Sequence, residues 1–180
     1  MSPKQTELYG NDKFEVTTER LCLELIERFE SFDNVVILGI QPRGIAFATK
    51  IKKKLEQITG KTIPFGKLDV TFHRDDYRTK HQPILGNITE IDFLIADKHV
   101  VLIDDVLYKG RTVRAAMDAM LSFGRPASVE LMVLIDRIRK REYPVEAAYI
   151  GMKIDTLNNQ HVEVNISDDD SSVMLKYKSE

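Results

Sequence analysis

Two adjacent aspartates, Asp104 and Asp105, directly follow the apolar run VVLI. The loop LYKGRT comes next, contains Gly110 and ends on Thr112. A glycine turn at a helix start presents backbone N–H groups and the positive end of the helix dipole, which suits a phosphate. Neighbouring carboxylates repel each other unless vicinal hydroxyls or a cation share them. The stretch therefore predicts a sugar-phosphate site, and ribose 5-phosphate supplies both the hydroxyls and the phosphate.

The alternative to a ligand site is a solvated acid pair that caps a helix. The strand before the aspartates and the glycine turn after them favour the site. The chain contains neither GxxxxGK[ST] nor GxGxxG. Nucleoside triphosphate and dinucleotide binding therefore lose their usual sequence support.

The sequence contains two units that each consist of a strand, a loop and a helix, and the second unit contains this loop. VVILGI (35–40) leads through QPRG into a helix that Gly60 ends, and VVLIDD leads into a helix that Gly124 ends. Another apolar strand covers 129–135. Continuous apolar strands indicate a parallel sheet covered on both faces, which predicts a doubly wound α/β domain. The loops QPRG, DDVLYKGRT and DRIRKRE all follow strands, where such sheets bind ligands.

The remaining segments complete one domain spanning 1–180. We predict a first helix capped by Thr17 or Thr18, and a strand in KTIPFGKLDVTF. The charged stretch 73–86 predicts a long mobile loop. AAYIGMKI, HVEVNI and VMLKYK predict shorter strands, and the acidic turn between the last two is expected to be solvated.

Composition sets broad limits on function. The 180 residues carry a net charge of -2, with 43% hydrophobic and 30% charged residues, as expected of a soluble globular protein. The single cysteine, Cys22, excludes an internal disulfide, and no histidine has metal-ligand spacing. No signal peptide or membrane span is visible, so we expect a cytoplasmic protein without a membrane partner.

The stretch VVLIDDVLYKGRT closely resembles the phosphoribosyl pyrophosphate signature of the type I phosphoribosyltransferases. Within that family, LDVTFHRDDYR, DDVLYKGRTVRAAMDAM and GRPASVELMVLIDR resemble the PyrR group, pyrimidine operon regulators that also have uracil phosphoribosyltransferase activity. The resemblance covers roughly 15–165. It implies a type I phosphoribosyltransferase-like doubly wound sheet with mainly parallel central strands, a flexible loop and a small C-terminal hood.

The resemblance also implies roles for particular residues. Asp104 and Asp105 hold the ribose hydroxyls, and QPRG binds pyrophosphate, with Gln41-Pro42 expected to be cis when ligand is bound. Mg²⁺ enters with phosphoribosyl pyrophosphate, and no all-protein metal site is expected. Arg74, with Arg78 or Lys80, acts on the leaving pyrophosphate from the mobile loop. The implied phosphoribosyl pyrophosphate contacts are Pro42, Arg43, Gly44, Asp104, Asp105, Val106, Leu107, Tyr108, Lys109, Gly110, Arg111 and Thr112.

The implied base pocket and regulatory surface are less distinct. Asp136, Arg137 and Val162 are the candidates for contacts with uracil. The basic run Arg139, Lys140 and Arg141 is the candidate for pyrimidine leader RNA, with a solvated face as the alternative. Catalysis yielding UMP, nucleotide-sensing RNA regulation with little catalysis, and transfer to another base all stay open. The family also implies a homo-oligomer, a dimer or larger.

Three departures from the family pattern affect these roles, and the first is that the mobile loop is short. Lys109 replaces a small hydroxyl residue in the phosphate loop, where it either contacts phosphate or points to solvent. IRKREYP replaces the familiar GHRELP, so the histidine usual there is missing. Pocket and regulatory details that depend on that histidine are therefore not carried over to this sequence.

Overall fold

The computed structural model describes residues 5–74, 86–167 and 170–177. In these ranges eight strands form two sheets, and there are three α-helices. The strands are β1 (Gln5–Tyr9), β2 (Val35–Ile40), β3 (Phe65–Leu68), β4 (His99–Leu107), β5 (Ser128–Arg137), β6 (Tyr149–Ile154), β7 (Gln160–Ile166) and β8 (Ser171–Tyr177). The helices are α1 (Asn11–Arg28), α2 (Gly44–Thr59) and α3 (Arg111–Met120), with short 3₁₀ turns at Thr71–His73 and Leu121–Phe123.

The larger sheet is parallel throughout, with strand order β3-β2-β4-β5-β6. Alternate residues of each central strand face opposite sides. Val35 and Ile37 of β2 pack into the core with α1 and α2, whereas Val36 and Leu38 pack into the core with α3. Every residue of β2 is buried because helices cover both faces. The predicted doubly wound α/β class is confirmed.

The smaller sheet is antiparallel, with order β1-β8-β7, and forms the hood. The N-terminal strand β1 was not predicted, because QTELY is short and largely exposed. Pairing with β8 fixes it, so a contact distant in sequence makes this strand. The C-terminal strands β7 and β8 were predicted correctly.

The start of α1 was predicted wrongly. The helix begins at Asn11 behind Gly10, so Thr17 and Thr18 lie inside it and are buried. The Thr18 hydroxyl donates to the Phe14 carbonyl oxygen at 2.9 Å, an intrahelical bond rather than a cap. The helix ends of the two strand and helix units were predicted correctly: Gly60 has φ 68° after α2, and Gly124 has φ 128° after the 3₁₀ turn that follows α3.

Strands β4 and β5 extend beyond their predicted ends. Their pairing continues to Leu107 and Asp136, so both the acid pair and Asp136 lie within strands rather than in the loops that follow. Near these strand ends, Asp104, Asp105 and Arg137 line a polar cavity, which is why the apolar runs end before the strands do. In the described ranges, no helix is both long and apolar enough to cross a bilayer.

Candidate active site

A cavity of about 650 Å³ opens at the carboxyl ends of the central strands. It brings together the strand ends, the QPRG loop and the hood strand β7. Most predicted site residues line it. Gln41 lines it as part of the predicted QPRG loop, and His161 is the lining residue that was not predicted. The lining consists of Gln41, Pro42, Arg43, Arg74, Asp104, Asp105, Val106, Tyr108, Thr112, Arg137, His161 and Val162.

The acid pair lies on the cavity wall with little exposure, 7% for Asp104 and 6% for Asp105. The Asp105 N–H donates to Asp104 Oδ1 at 2.9 Å, and the Val106 N–H donates to Asp105 Oδ1 at 2.7 Å. Burial raises the pKa of Asp104 well above its usual range, and the charge of Asp105 raises it further. Burial also raises the pKa of Asp105, while Arg43 opposes both shifts. The pair is therefore arranged to accept a partner that stabilises its full negative charge.

A ligand that supplies hydroxyl donors and a cation, as the resemblance implies for phosphoribosyl pyrophosphate with Mg²⁺, should release protons from this pair on binding. A ligand that brings hydroxyl donors and a cation favours the ionised carboxylates, so it lowers pKa values that burial has raised. Affinity should therefore increase as pH rises through the raised pKa of Asp104. Calorimetry in buffers with different ionisation enthalpies measures the proton count. Binding without proton release, together with a pH-independent Kd, contradicts this role for the pair.

The loop after β4 forms a phosphate-sized recess. Gly110, at φ 87°, precedes the first residue of α3, and a cavity of about 110 Å³ is lined by Arg74, Asp104 and residues 106–113. The left-handed backbone at this position favours glycine. Val106 and Leu107 belong to β4, so the turn that surrounds the recess is shorter than the predicted segment 106–112.

Glu142 holds the side chain of Lys109. Its carboxylate pairs with Lys109 on one oxygen and accepts from Arg111 Nε at 2.6 Å on the other. Lys109 and Arg111 both lower the pKa of Glu142, with Lys109 having the larger influence. Lys109 therefore pairs with a carboxylate rather than pointing freely to solvent. The backbone N–H of Glu142 also donates to the Lys109 carbonyl, so IRKREYP holds the phosphate loop.

The QPRG loop joins β2 to α2 on the other side of the acid pair. The Gln41-Pro42 peptide bond is cis. The prediction of a cis bond concerned the liganded protein and stays a prediction. A Cβ on Gly44 would lie 2.7 Å from the Ile103 carbonyl oxygen, so only glycine allows α2 to start this close to β4. Gln41 Nε2 donates to the Ile88 carbonyl at 2.7 Å, which ties the loop to the segment after residue 85.

Arg74 lies at the entrance to both recesses. Its Nη1 donates to Thr112 Oγ1 at 3.2 Å, which places the guanidinium beside the phosphate loop. It lines the main cavity and the smaller recess alike. The other predicted loop cations, Arg78 and Lys80, lie outside the described residues, as does most of the predicted mobile loop.

Arg137 connects the central sheet to the hood. Its Nε and Nη2 donate to Thr156 Oγ1 at 3.0 and 2.8 Å, and Nη2 also donates to the Gln160 carbonyl at 3.0 Å. Its guanidinium lies 3.9 Å from the centre of the Tyr108 ring. Burial lowers the pKa of Arg137. Val162 also lines the cavity, whereas Asp136 pairs with Arg141 and does not line it.

The basic run divides into exposed and structural members. The Arg139 side chain is 80% exposed, and Lys140 donates to Asn158 Oδ1 at 3.0 Å beside a surface cavity of about 520 Å³. Arg141 is only 22% exposed and donates to four backbone carbonyls as well as to Asp136. Only Arg139 and Lys140 of this run therefore present charge to a partner. No cluster of three or more metal-ligating side chains occurs among the residues described.

Comparison with known proteins places this geometry in a family. The family model described as phosphoribosyl transferase domain matches residues 4–169. A protein named bifunctional protein PyrR from Pelotomaculum thermopropionicum is 40% identical over 171 residues, covering 94% of this chain and 93% of the relative. Its namesake from Clostridioides difficile is 43% identical over 159 residues, covering 87% and 89%.

Solved structures agree with the fold. A hypoxanthine-guanine phosphoribosyltransferase from Bacillus anthracis superposes with a TM-score of 0.69 at 15% identity, covering 94% of this chain and 98% of that one. The enzyme from Leishmania tarentolae, solved with GMP, gives a TM-score of 0.66 at 16% identity, covering 84% and 82%. At such identities the likeness concerns the fold alone. The purine names of these enzymes therefore do not decide which base this chain uses.

Proposed function

The chain belongs to the phosphoribosyltransferase family, within its PyrR group, and from that membership we propose that it converts uracil and phosphoribosyl pyrophosphate to UMP and pyrophosphate. The observation that carries this proposal is the buried acid pair next to a glycine phosphate loop on one cavity wall. Asp104 and the loop line one recess, which supports binding of the hydroxyls and the 5-phosphate of one ribose there. The QPRG loop adjoins the acid pair and lines the same cavity, where the pyrophosphate is expected to bind.

The reaction requires little acid–base chemistry from the protein. Positive charge develops on the sugar and negative charge on the leaving pyrophosphate, so aligned charges and water exclusion supply most of the stabilisation. Asp104 and Asp105 hold the ribose and lie on the side where positive charge develops. Arg43 and Arg74 lie where negative charge leaves. The phosphate loop fixes the sugar through its backbone N–H groups, which sets the angle of attack for the base.

Mg²⁺ fits the same acid pair. The carboxylates are buried, mutually repelling and short of positive charge, and carboxylate oxygens are the ligands that Mg²⁺ prefers. Asp104 and Asp105 would hold the ion together with oxygens of the substrate. When bound, the ion neutralises charge on pyrophosphate and orients it for departure.

A steady-state assay with phosphoribosyl pyrophosphate and Mg²⁺ tests the proposal. Uracil, orotate, hypoxanthine and guanine are compared as acceptors, and nucleotide formation is followed by chromatography. Turnover of uracil alone is the expected result. If the protein turns over a different base, that base replaces uracil in the proposed function. Tight binding of phosphoribosyl pyrophosphate without turnover of any base favours the nucleotide-sensing alternative.

We also propose that Arg139 and Lys140 contribute to binding pyrimidine leader RNA. Both lie on the exposed cavity beside Asn158, and lysine and arginine contacts with phosphates release counterions. The Arg139→Ala/Lys140→Ala double variant should bind RNA about tenfold or more weakly and should lose about two units of salt dependence. Uracil turnover should change little, because neither side chain lines the main cavity.

A charge-matched control is available at the opposite end of the central strands. Lys98→Ala/Arg125→Ala removes two positive charges next to the amino ends of β4 and β5, far along the strands from the cavity. RNA affinity measured by filter binding over a salt series should be unchanged in this control. If both double variants lose RNA affinity equally, the loss reflects net charge and not these two side chains. If the wild-type protein does not bind RNA at low salt, the RNA role is wrong.

Assembly and location complete the proposal. We expect a homo-oligomer, a dimer or larger, which would gather two copies of the exposed basic patch onto one surface. Sedimentation measures this directly. We also propose a cytoplasmic location, where the single buried thiol of Cys22 stays reduced without a partner.

A further inference from the structure

His161 lies in β7 beside Val162 and lines the main cavity. Its Nδ1 is buried and has no hydrogen-bond partner, the only such side-chain nitrogen or oxygen in the ranges that the structure describes. An unsatisfied buried polar group costs about 1–3 kcal/mol. Buried N–H groups without an acceptor are especially rare in folded proteins. We therefore assign the ring proton to Nε2, with Nδ1 as the nitrogen without a proton.

The opposite edge of the ring is available to a ligand. Nε2 is not among the buried atoms that lack a partner, and it makes no hydrogen bond to any residue within 5–74, 86–167 or 170–177. With Nδ1 enclosed by protein and the ring on the cavity wall, the Nε2–H edge is the polar group that His161 can offer to a bound molecule. A neutral Nε2–H is a hydrogen-bond donor only.

The backbone around His161 is firmly held. The Gln160 carbonyl accepts from Arg137 Nη2 at 3.0 Å, and Gln160 Oε1 accepts from the Leu157 N–H at 2.7 Å. Val162 is buried in the core at 7% exposure. Recognition groups work best on elements whose position is fixed before the ligand arrives. His161 meets that condition because both of its neighbours are anchored.

We propose that His161 is a specificity-determining residue of the base site, donating its Nε2–H to a carbonyl oxygen of a pyrimidine-2,4-dione. This inference rests on the proposed function and assigns the side chain that reads one carbonyl. A base with an exocyclic amino group at that carbon would set one donor against another. Sites that pair a substrate polar group reject analogues lacking it much more strongly than apolar sites do.

Two substitutions separate the donor from the ring. His161→Phe keeps an aromatic ring and removes the donor, whereas His161→Gln restores a side-chain N–H of similar reach. We expect His161→Phe to raise KM for uracil about tenfold, which corresponds to about 1.4 kcal/mol, with KM for phosphoribosyl pyrophosphate within about twofold. His161→Gln should recover most of the loss. Lys153→Gln, on β6 and outside the cavity lining, is the control.

Thiouracils supply a second readout that does not depend on how well each variant folds. Sulfur accepts hydrogen bonds weakly, so wild-type protein should discriminate against either 2-thiouracil or 4-thiouracil, and His161→Phe should lose that discrimination. Unchanged uracil kinetics in His161→Phe overturns the inference, as does an equal rise in both KM values. Failure of the wild type to use uracil overturns the proposed function itself, so the two failures are distinguishable.

Discussion

Replacing Asp104 or Asp105 by asparagine is expected to lower kcat/KM for phosphoribosyl pyrophosphate by about 10²- to 10³-fold while raising the melting temperature. Activity falls in the proposed mechanism because an amide lacks the charge that we propose to hold the ribose hydroxyls and Mg²⁺. Stability rises because the substitution removes a buried charge next to a second one. The two bonds from backbone N–H groups to Oδ1 atoms survive in the amides, so the local structure is kept.

The pH dependence of stability should change in the same variants. Burial raises the folded-state pKa of Asp104 above its unfolded value of about 3.9, so the folded state binds more protons between these two values. Wild-type stability therefore falls as pH rises through that window, and Asp104→Asn should flatten the slope. Urea titrations at several pH values measure it. Asp118→Asn, which alters an exposed ion pair with Arg114, is the control.

The opposite result would revise the role of the pair. If the asparagine variants lose both activity and stability, the carboxylates act mainly as structural acceptors in the free protein. If they keep full activity, the ribose is held elsewhere and the acid pair is not the centre of the site. Measuring Kd for Mg²⁺ and phosphoribosyl pyrophosphate in the same variants separates lost binding from lost turnover.

Arg74→Ala should reduce kcat by about 10²- to 10³-fold while changing the Kd for phosphoribosyl pyrophosphate by less than about tenfold. The negative charge that Arg74 meets grows as pyrophosphate leaves, so its interaction is stronger in the transition state than in the bound substrate. Its position beside Thr112 and on both recesses supports this role. Single-turnover rates and calorimetry measure the two quantities separately.

Conservative and remote substitutions sharpen this test. Arg74→Lys keeps the positive charge but loses the planar fork, so a partial recovery is expected. Arg125→Ala removes an exposed arginine at the opposite edge of the sheet and should leave kcat unchanged. Unchanged turnover in Arg74→Ala removes Arg74 from the mechanism. A rise in Kd as large as the fall in kcat assigns Arg74 to ground-state binding instead.

The sequence by itself determined the strand and helix units and the centre of the site. Apolar runs, helical spacing and the glycines at 60, 110 and 124 are local signals, because a left-handed turn or a buried strand depends mainly on the residues that form it. Asp104, Asp105 and the phosphate loop are contiguous, so their proximity needed no tertiary information. The resemblance to the phosphoribosyltransferases rested on the same contiguous stretch.

Only the tertiary structure decided what depends on partners distant in sequence. Strand β1 is held by its pairing with β8, and because β1 ends at Tyr9, α1 begins soon after it, at Asn11. Strand pairing also extends β4 and β5 beyond their apolar runs. Such pairings satisfy backbone groups that the local sequence cannot satisfy alone, so no local pattern reports them.

The roles of the charged residues after β5 were likewise set by the fold. Arg139, Lys140 and Arg141 form one basic run in the sequence, yet Arg141 bonds buried carbonyls while Arg139 extends into solvent. Glu142 pairs with Lys109 and Arg111, and His161 reaches the cavity from the hood. Charge type is a property of the residue, but the partner that satisfies it is a property of packing, because burial and distance decide whether a charge is paired or solvated.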